Sequence, residues 1–171
     1  MLHTISGEAR TFSPQTLMTK LNTVLVPRIE SGMNVTMVIG LINGVTKTLV
    51  LANAGHHAHP LLVRDGTVES LVAKGMPLGM MAGISYREIE FTLQSGDVLV
   101  LMTDGIIEAK DSCSGQEYQE TDRLRQVLAQ FTTDTPAEAM VSALIDDATT
   151  FGADMTTEEE DDITVVVVRV L

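Results

Sequence analysis

Two short segments of this chain are apolar at almost every position, and they restrict its fold more than any other feature. Residues 98–102 read Val-Leu-Val-Leu-Met, and residues 163–170 are rich in β-branched side chains. A strand that is apolar on both faces needs cover on both faces, so we expect the strand at 97–103 to lie in the interior of a sheet. The length of 171 residues suits a single domain built around such a sheet.

Two hairpins are predicted between the N-terminal region and these strands. Asn43-Gly44 separates two β-rich runs, and Asp65-Gly66 separates two more. Asn-Gly and Asp-Gly pairs are the strongest short hairpin signals, because both residues tolerate a positive φ angle. Residues 72–86 contain several glycines and a proline, which is typical of an irregular connection. The predicted strands of this region are 35–42, 46–52, 61–64, 67–71 and 87–93.

Three amphipathic helices complete the predicted elements. The first begins at Ser13-Pro14 and is bounded by Gly32, the second covers about 121–131, and the third runs from a capping box at Thr135 to Gly152. Together they predict an α+β domain with an antiparallel sheet and at least one helical layer. The expected buried residues are Leu17, Leu21, Val24, Leu25 and Ile29, then Leu124, Val127, Leu128 and Phe131, then Met140, Val141, Leu144, Ile145 and Ala148.

The charge and cysteine content argue against several kinds of partner. The chain has 11 Lys and Arg against 23 Asp and Glu, so its net charge is −12. Nucleic acid and anionic membrane surfaces attract basic proteins, so we expect neither as a partner.

No apolar run approaches the roughly 18 residues that span a bilayer. Cys113 is the single cysteine, which fits a reducing compartment, and with no visible signal peptide we expect a cytoplasmic location.

Acidic residues flank the two apolar strands. Asp104 follows the first strand, and Asp161 and Asp162 precede the second. If the strands are antiparallel neighbours, Asp104 and Asp161 meet at one sheet edge, where carboxylates suit Mg²⁺ or Mn²⁺. Spacing alone prefers the alternative, a turn residue at Asp104 and a solvated strand start at Asp161-Asp162.

Three of the four histidines lie close together, at positions 56, 57 and 59. His57 and His59 would face the same way in a strand and could chelate zinc, but no further pair of His or Cys ligands has suitable spacing. A hydrogen-bonded loop histidine is the preferred interpretation of His56.

Five short motifs occur in a specific order, and each is weak by itself. Taken together, over residues 13–171, they resemble the SpoIIE-like (RsbU-like) branch of the PPM, or type 2C, metal-dependent protein serine/threonine phosphatases. The motifs are Asn53-Ala54-Gly55-His56, Gly75-Met76-Pro77-Leu78-Gly79, Ser95-Gly96-Asp97, Thr103-Asp104-Gly105-Ile106-Ile107-Glu108-Ala109 and Asp161-Asp162-Ile163-Thr164-Val165-Val166.

The resemblance implies an antiparallel β-sandwich flanked by helices, with two Mn²⁺ or Mg²⁺ ions at one end of the sheets. It implies hydrolysis of phosphoserine or phosphothreonine on a protein by a water that the two metals activate. Asp104 and Asp161 match the family's metal ligands and are the candidate catalytic residues, and Asp162 is a supporting metal-site residue. His56 matches the family's motif without an assigned catalytic role.

In the family's regulatory setting, the substrate is a phosphorylated anti-sigma-factor antagonist of the STAS type, controlled by an upstream sensor or receiver domain. The family's first metal-ligating segment, an Asp followed by Ser-Gly-His-Gly, does not occur in this sequence. We therefore expect one phosphatase domain at 1–171 that is N-terminally truncated relative to the family and lacks its first strands, with one ion or none in this chain. The alternative is a non-catalytic module that binds a partner or forms a homodimer through an open sheet edge.

Overall fold

The computed structural model describes residues 12–30, 32–111, 113–152 and 162–171. By its contacts the chain divides into a first unit, Met1–His57 with Val72–Gln94, and a second unit, Ala58–Leu71 with Ser95–Leu171. In chain order the elements are α1 (Pro14–Leu25), β1 (Met37–Asn43), β2 (Thr48–Ala54), β3 (Leu61–Arg64), β4 (Thr67–Ser70), β5 (Glu88–Thr92), β6 (Val98–Met102), α2 (Asp104–Ile107), a 3₁₀ turn (Tyr118–Glu120), α3 (Arg123–Ala129), α4 (Ala137–Gly152) and β7 (Val165–Arg169).

The first unit contains a three-stranded antiparallel sheet in the order β1-β2-β5. β2 is buried from its second residue onward, and its last alanines pack in a core cluster with Met18 of α1, Leu78 and Tyr86. Among the described residues, β1 pairs with β2 and has no strand on its other side. The hairpin between these strands is confirmed.

The turn of this hairpin is longer than the Asn-Gly pair suggests. Asn43 pairs with Thr48 at the end of the ladder, so residues 44–47 form the loop. The Asn43 side chain accepts hydrogen bonds from the N–H groups of Val45 and Thr46 at 2.9 and 3.1 Å. The asparagine therefore shapes the turn through its side chain, as in other Asx turns.

Helix α1 begins as predicted and ends earlier. Ser13 is the N-cap, and its hydroxyl accepts a hydrogen bond from the Thr16 N–H. The helix ends at Leu25, well before Gly32, because Pro27 has no N–H to continue the hydrogen-bond ladder. Met18 is buried, whereas Val24 is 50% exposed, so the prediction of a buried Val24 was wrong.

The second unit contains a four-stranded antiparallel sheet in the order β4-β3-β6-β7. β6 lies between two strands, as its apolar sequence predicted. The β3–β4 hairpin turns through Asp65 and Gly66, both with positive φ. Residues buried on α3 and α4 join β3 and β6 in one core; they are Leu124, Leu128, Met140, Leu144 and Ala148.

Antiparallel sheets combined with helices confirm the predicted mixed fold class. The short helix α2 was not predicted, since four residues are too few to show a helical period. In the described ranges, no helix has both the length and the apolar character that crossing a bilayer requires.

Candidate functional site

The candidate site lies where β6 ends and β7 begins. The two strands pair antiparallel, with Val98 opposite Arg169 and Met102 opposite Val165. The end of β6 therefore lies beside the start of β7, which was the condition for bringing the acidic residues together. Asp104 follows β6 at the start of α2, and Asp162 lies three residues before β7.

Thr103 joins these two chain segments through three hydrogen bonds. Its backbone N–H donates to the Thr164 carbonyl oxygen at 3.0 Å. Its hydroxyl donates to the Asp162 carbonyl oxygen at 2.9 Å and accepts from the Thr164 N–H at 2.8 Å. The residue before Asp104 is thus bound directly to the segment that carries Asp162.

Helix α2 holds Asp104 against the core of the second unit. Asp104 is half-buried at the first position of the helix, and its carbonyl oxygen accepts from the Glu108 N–H at 2.8 Å. Ile106 and Ile107 on the same turn are 0% and 6% exposed. Burial of these two side chains anchors the turn, because moving it would expose both of them to water.

The donor chemistry of this edge suits a hard cation, since carboxylate oxygens are the ligands that Mg²⁺ and Mn²⁺ prefer. Asp162 is exposed at this edge, and Asp161 lies outside the described residues together with most of the acidic run. Within the described ranges, no three His, Cys, Asp or Glu side chains come close enough to hold a metal ion. The described residues therefore fit a hard cation in kind but supply fewer than three ligands.

The Asn-Ala-Gly-His motif closes a loop after β2. The buried Asn53 side chain accepts from the His56 N–H at 2.8 Å and donates to the His56 carbonyl oxygen at 2.9 Å. Residues 55–60 are not part of a strand, so the premise that His57 and His59 share a strand face was wrong. His56 is half-buried in this loop.

The two glycine-containing motifs of the first unit contact each other. Gly55 has a φ of +72°, and a Cβ there would lie 2.4 Å from the Pro77 side chain. A Cβ on Gly75 would lie 2.0 Å from the Asn53 carbonyl oxygen. Packing therefore explains the glycines of these two motifs, since no larger residue fits at either position.

The Ser-Gly-Asp motif binds the start of β6 to its neighbours. Asp97 is 1% exposed and accepts two hydrogen bonds from the Arg64 guanidinium, at 2.8 Å from Nε and 2.6 Å from a terminal nitrogen. The hydrogen bond to Asp97 raises the pKa of Arg64. Val170 donates its N–H to the Asp97 carbonyl oxygen at 2.9 Å. This motif is at the opposite end of β6 from Asp104 and stabilises the sheet.

Sequence reasoning did not find a polar network around α4. Asp147 accepts the hydroxyl of the fully buried Tyr118 at 2.6 Å and a terminal nitrogen of Arg123 at 2.7 Å. The hydrogen bond from Arg123 is the main cause that lowers the pKa of Asp147. The Tyr118 ring also packs edge-on against Phe151. No spacing signal could have found this set, because its members come from three separate elements.

The sequence model of the family described as stage II sporulation protein E (SpoIIE) matches residues 1–171. The chain belongs to the SpoIIE family. The resemblance to this family that the ordered motifs indicated is confirmed.

One relative of this SpoIIE-family chain is the phosphoserine phosphatase RsbU of Bacillus subtilis (strain 168). The two are 30% identical over 98 residues, which is 57% of this chain and 29% of RsbU. This SpoIIE-family chain thus spans less than a third of the length of that relative.

Solved structures show the same fold. The PP2C phosphatase domain with a fragment of the regulatory domain of SpoIIE from Bacillus subtilis has a TM-score of 0.73 at 21% identity, over 93% of this chain and 45% of that one. The SiaA-PP2C domain of Pseudomonas aeruginosa has a TM-score of 0.73 at 20% identity, over 91% and 60%. This SpoIIE-family chain therefore has a PP2C-type fold and spans about half the length of these structures.

Proposed function

We propose that this chain contributes to the active site of a metal-dependent phosphatase that hydrolyses phosphoserine or phosphothreonine on a protein. The pairing of β6 with β7 is the observation that supports this most strongly. It brings the backbones of Asp104 and Asp162 to one sheet edge, although the two residues are far apart in sequence. Acidic residues that converge at one edge of a rigid sheet are well suited to hold a cation.

In this proposal, Asp104 and Asp161 hold Mn²⁺ or Mg²⁺, and Asp162 supports them. When bound, the cations would offset the charge of the phosphoryl group and activate water for its hydrolysis. Helix α2 keeps Asp104 at the edge, since the buried Ile106 and Ile107 hold its turn against the core. Thr103 keeps the Asp162 segment beside it.

The family also suggests a setting for this activity. We propose that the substrate is a phosphorylated anti-sigma-factor antagonist of the STAS type, and that a sensor or receiver domain of a longer protein controls the reaction. The similarity to RsbU supports a phosphoserine substrate. The single cysteine supports a cytoplasmic location.

A second candidate function is a non-catalytic module that binds a partner or a second copy of itself. It is favoured by β1, Met37–Asn43, which carries no charge and has a strand neighbour on one side only within the described part of the chain. Such an edge can pair with another strand.

Hydrolysis of a phosphoserine peptide in the presence of Mn²⁺ tests the proposal. We expect Asp104→Asn to lower kcat/KM about a hundredfold, which is typical when one charge-stabilising group is removed. Asp134→Asn is the matched control, because Asp134 is an exposed acid in the loop between α3 and α4. Equal and measurable rates for the wild type and Asp104→Asn would exclude the metal site, and absence of Mn²⁺ binding in calorimetry would favour the module.

A further inference from the structure

Thr103 is the N-cap residue of α2, but its side chain makes no capping hydrogen bond. A threonine at this position ordinarily accepts a hydrogen bond from an N–H in the first turn of its own helix. Here the hydroxyl instead accepts from the Thr164 N–H at 2.8 Å and donates to the Asp162 carbonyl oxygen at 2.9 Å. Both hydrogen-bonding capacities are directed at the segment that leads into β7.

This contact reaches further along the chain than the strand pairing does. The ladder between β6 and β7 ends with Met102 opposite Val165, and the backbone bond from Thr103 to Thr164 extends it by one residue. Asp162 lies two residues beyond Thr164, and the Thr103 hydroxyl still binds its carbonyl group. The side chain of Thr103, the residue before Asp104, thus binds the backbone of Asp162 directly.

We infer that Thr103 is a positioning residue that sets the spacing between Asp104 and Asp162. The inference rests on the proposed function, in which this edge binds a divalent cation. Groups that orient metal ligands affect binding although they do not touch the metal, because a cation tolerates little variation in ligand geometry. Thr103 would therefore act on affinity through the segment it holds, and not as a ligand.

Thr121 provides a matched control in the same unit. Its hydroxyl donates to the Tyr118 carbonyl oxygen at 2.7 Å and accepts from the Arg123 N–H at 3.2 Å. It makes the same two kinds of hydrogen bond as Thr103, at the start of α3. Thr121→Val and Thr103→Val each remove one donated and one accepted hydrogen bond, local in the first case and between distant segments in the second. If Mn²⁺ affinity depended only on the general loss of a threonine hydroxyl, both variants would lower it.

The test measures Mn²⁺ affinity by calorimetry and amide hydrogen exchange by NMR on the 171-residue chain. We expect Thr103→Val to weaken Mn²⁺ binding about tenfold, as is typical when a group that orients a ligand is lost. Thr103→Ser keeps the hydroxyl and should restore wild-type affinity. Thr121→Val should leave affinity unchanged. Independently of the metal, Thr103→Val should accelerate exchange of the Thr164 amide.

The failures can be told apart. Wild-type affinity in Thr103→Val, or equal weakening in Thr121→Val, would overturn the positioning role and leave the metal site standing. Unchanged exchange of the Thr164 amide in Thr103→Val would overturn it as well. A wild-type chain that binds no Mn²⁺ would overturn the proposed function, and the inference with it.

Discussion

Gly75 approaches Asn53 so closely that a Cβ on Gly75 would lie 2.0 Å from the Asn53 carbonyl oxygen. The same Cβ would lie 3.2 Å from the ring of Tyr86, which is buried in the core of the first unit. Two motifs that identify the family by sequence are therefore joined by a backbone contact. Packing therefore requires glycine at these positions.

Gly75→Ala should destabilise the chain by about 3 kcal/mol, the upper part of the range for overpacking, because backbone atoms have to move. Gly44→Ala is the control, since a Cβ there meets no atom within 4 Å. Urea denaturation measures both free energies of unfolding. Equal stability of the two variants would contradict the close approach of Gly75 to Asn53.

The ion pair between Arg64 and Asp97 should respond unequally to loss of its two members. The Asp97 side chain is 1% exposed and that of Arg64 is 34% exposed. Arg64→Met leaves a buried carboxylate without its cation and should cost about 3 kcal/mol. Asp97→Asn leaves an arginine that can reach water, and should cost less. Thermal denaturation of the double variant Arg64→Met/Asp97→Asn tests this explanation. A double variant that is no more stable than Arg64→Met would refute it.

Acid should weaken the contact between α3 and α4. The hydrogen bond from Arg123 lowers the pKa of Asp147 below its ordinary value of 3.8. Because the folded-state pKa is depressed, the stabilisation is present above pH 3.8 and is lost as the pH falls through the folded-state pKa. Asp147→Asn should therefore show a shallower loss of stability on acidification. An identical pH dependence in both proteins, followed by denaturant unfolding, would exclude this linkage.

Alkaline titration should reveal two protected tyrosines. The chain has two tyrosines and no tryptophan. Burial raises the pKa of Tyr86 above its ordinary value of 10.0. Burial is the main cause that raises the pKa of Tyr118, and the hydrogen bond to Asp147 raises it further. Both groups favour the folded state below pH 10.0, and this contribution disappears as the pH rises through their folded-state pKa values.

We therefore expect phenolate absorbance to appear together with unfolding and not before it. Circular dichroism during the same titration reports the fold. Tyr118→Phe isolates the signal of Tyr86. Reversible ionisation of either tyrosine near pH 10.0 in a folded chain would contradict its burial.

The elements that sequence predicted correctly are those whose pattern is local. Alternation, Asp-Gly and Asn-Gly turns, and capping signals each depend on a few neighbouring residues, so the hairpins and the helices α3 and α4 were found. Errors arose where tertiary packing determines which residues are buried. Val24 satisfies a helical period but is 50% exposed, because the buried face of α1 is centred on Met18 and Asn22. Asn22 is buried through hydrogen bonds to Gly79 and Met81, which no local pattern indicates.

The sequence by itself determined where the strands lie along the chain. It also determined the family motifs and the acidic residues at Asp104 and Asp161-Asp162. These depend on residue type and spacing along the chain. Only the tertiary structure decided that β6 and β7 are neighbours, and that the Thr103 hydroxyl binds Asp162 rather than capping α2. Pairing partners are chosen by long-range packing and hydrogen bonding, which join residues about 60 positions apart and leave no periodic trace in the sequence.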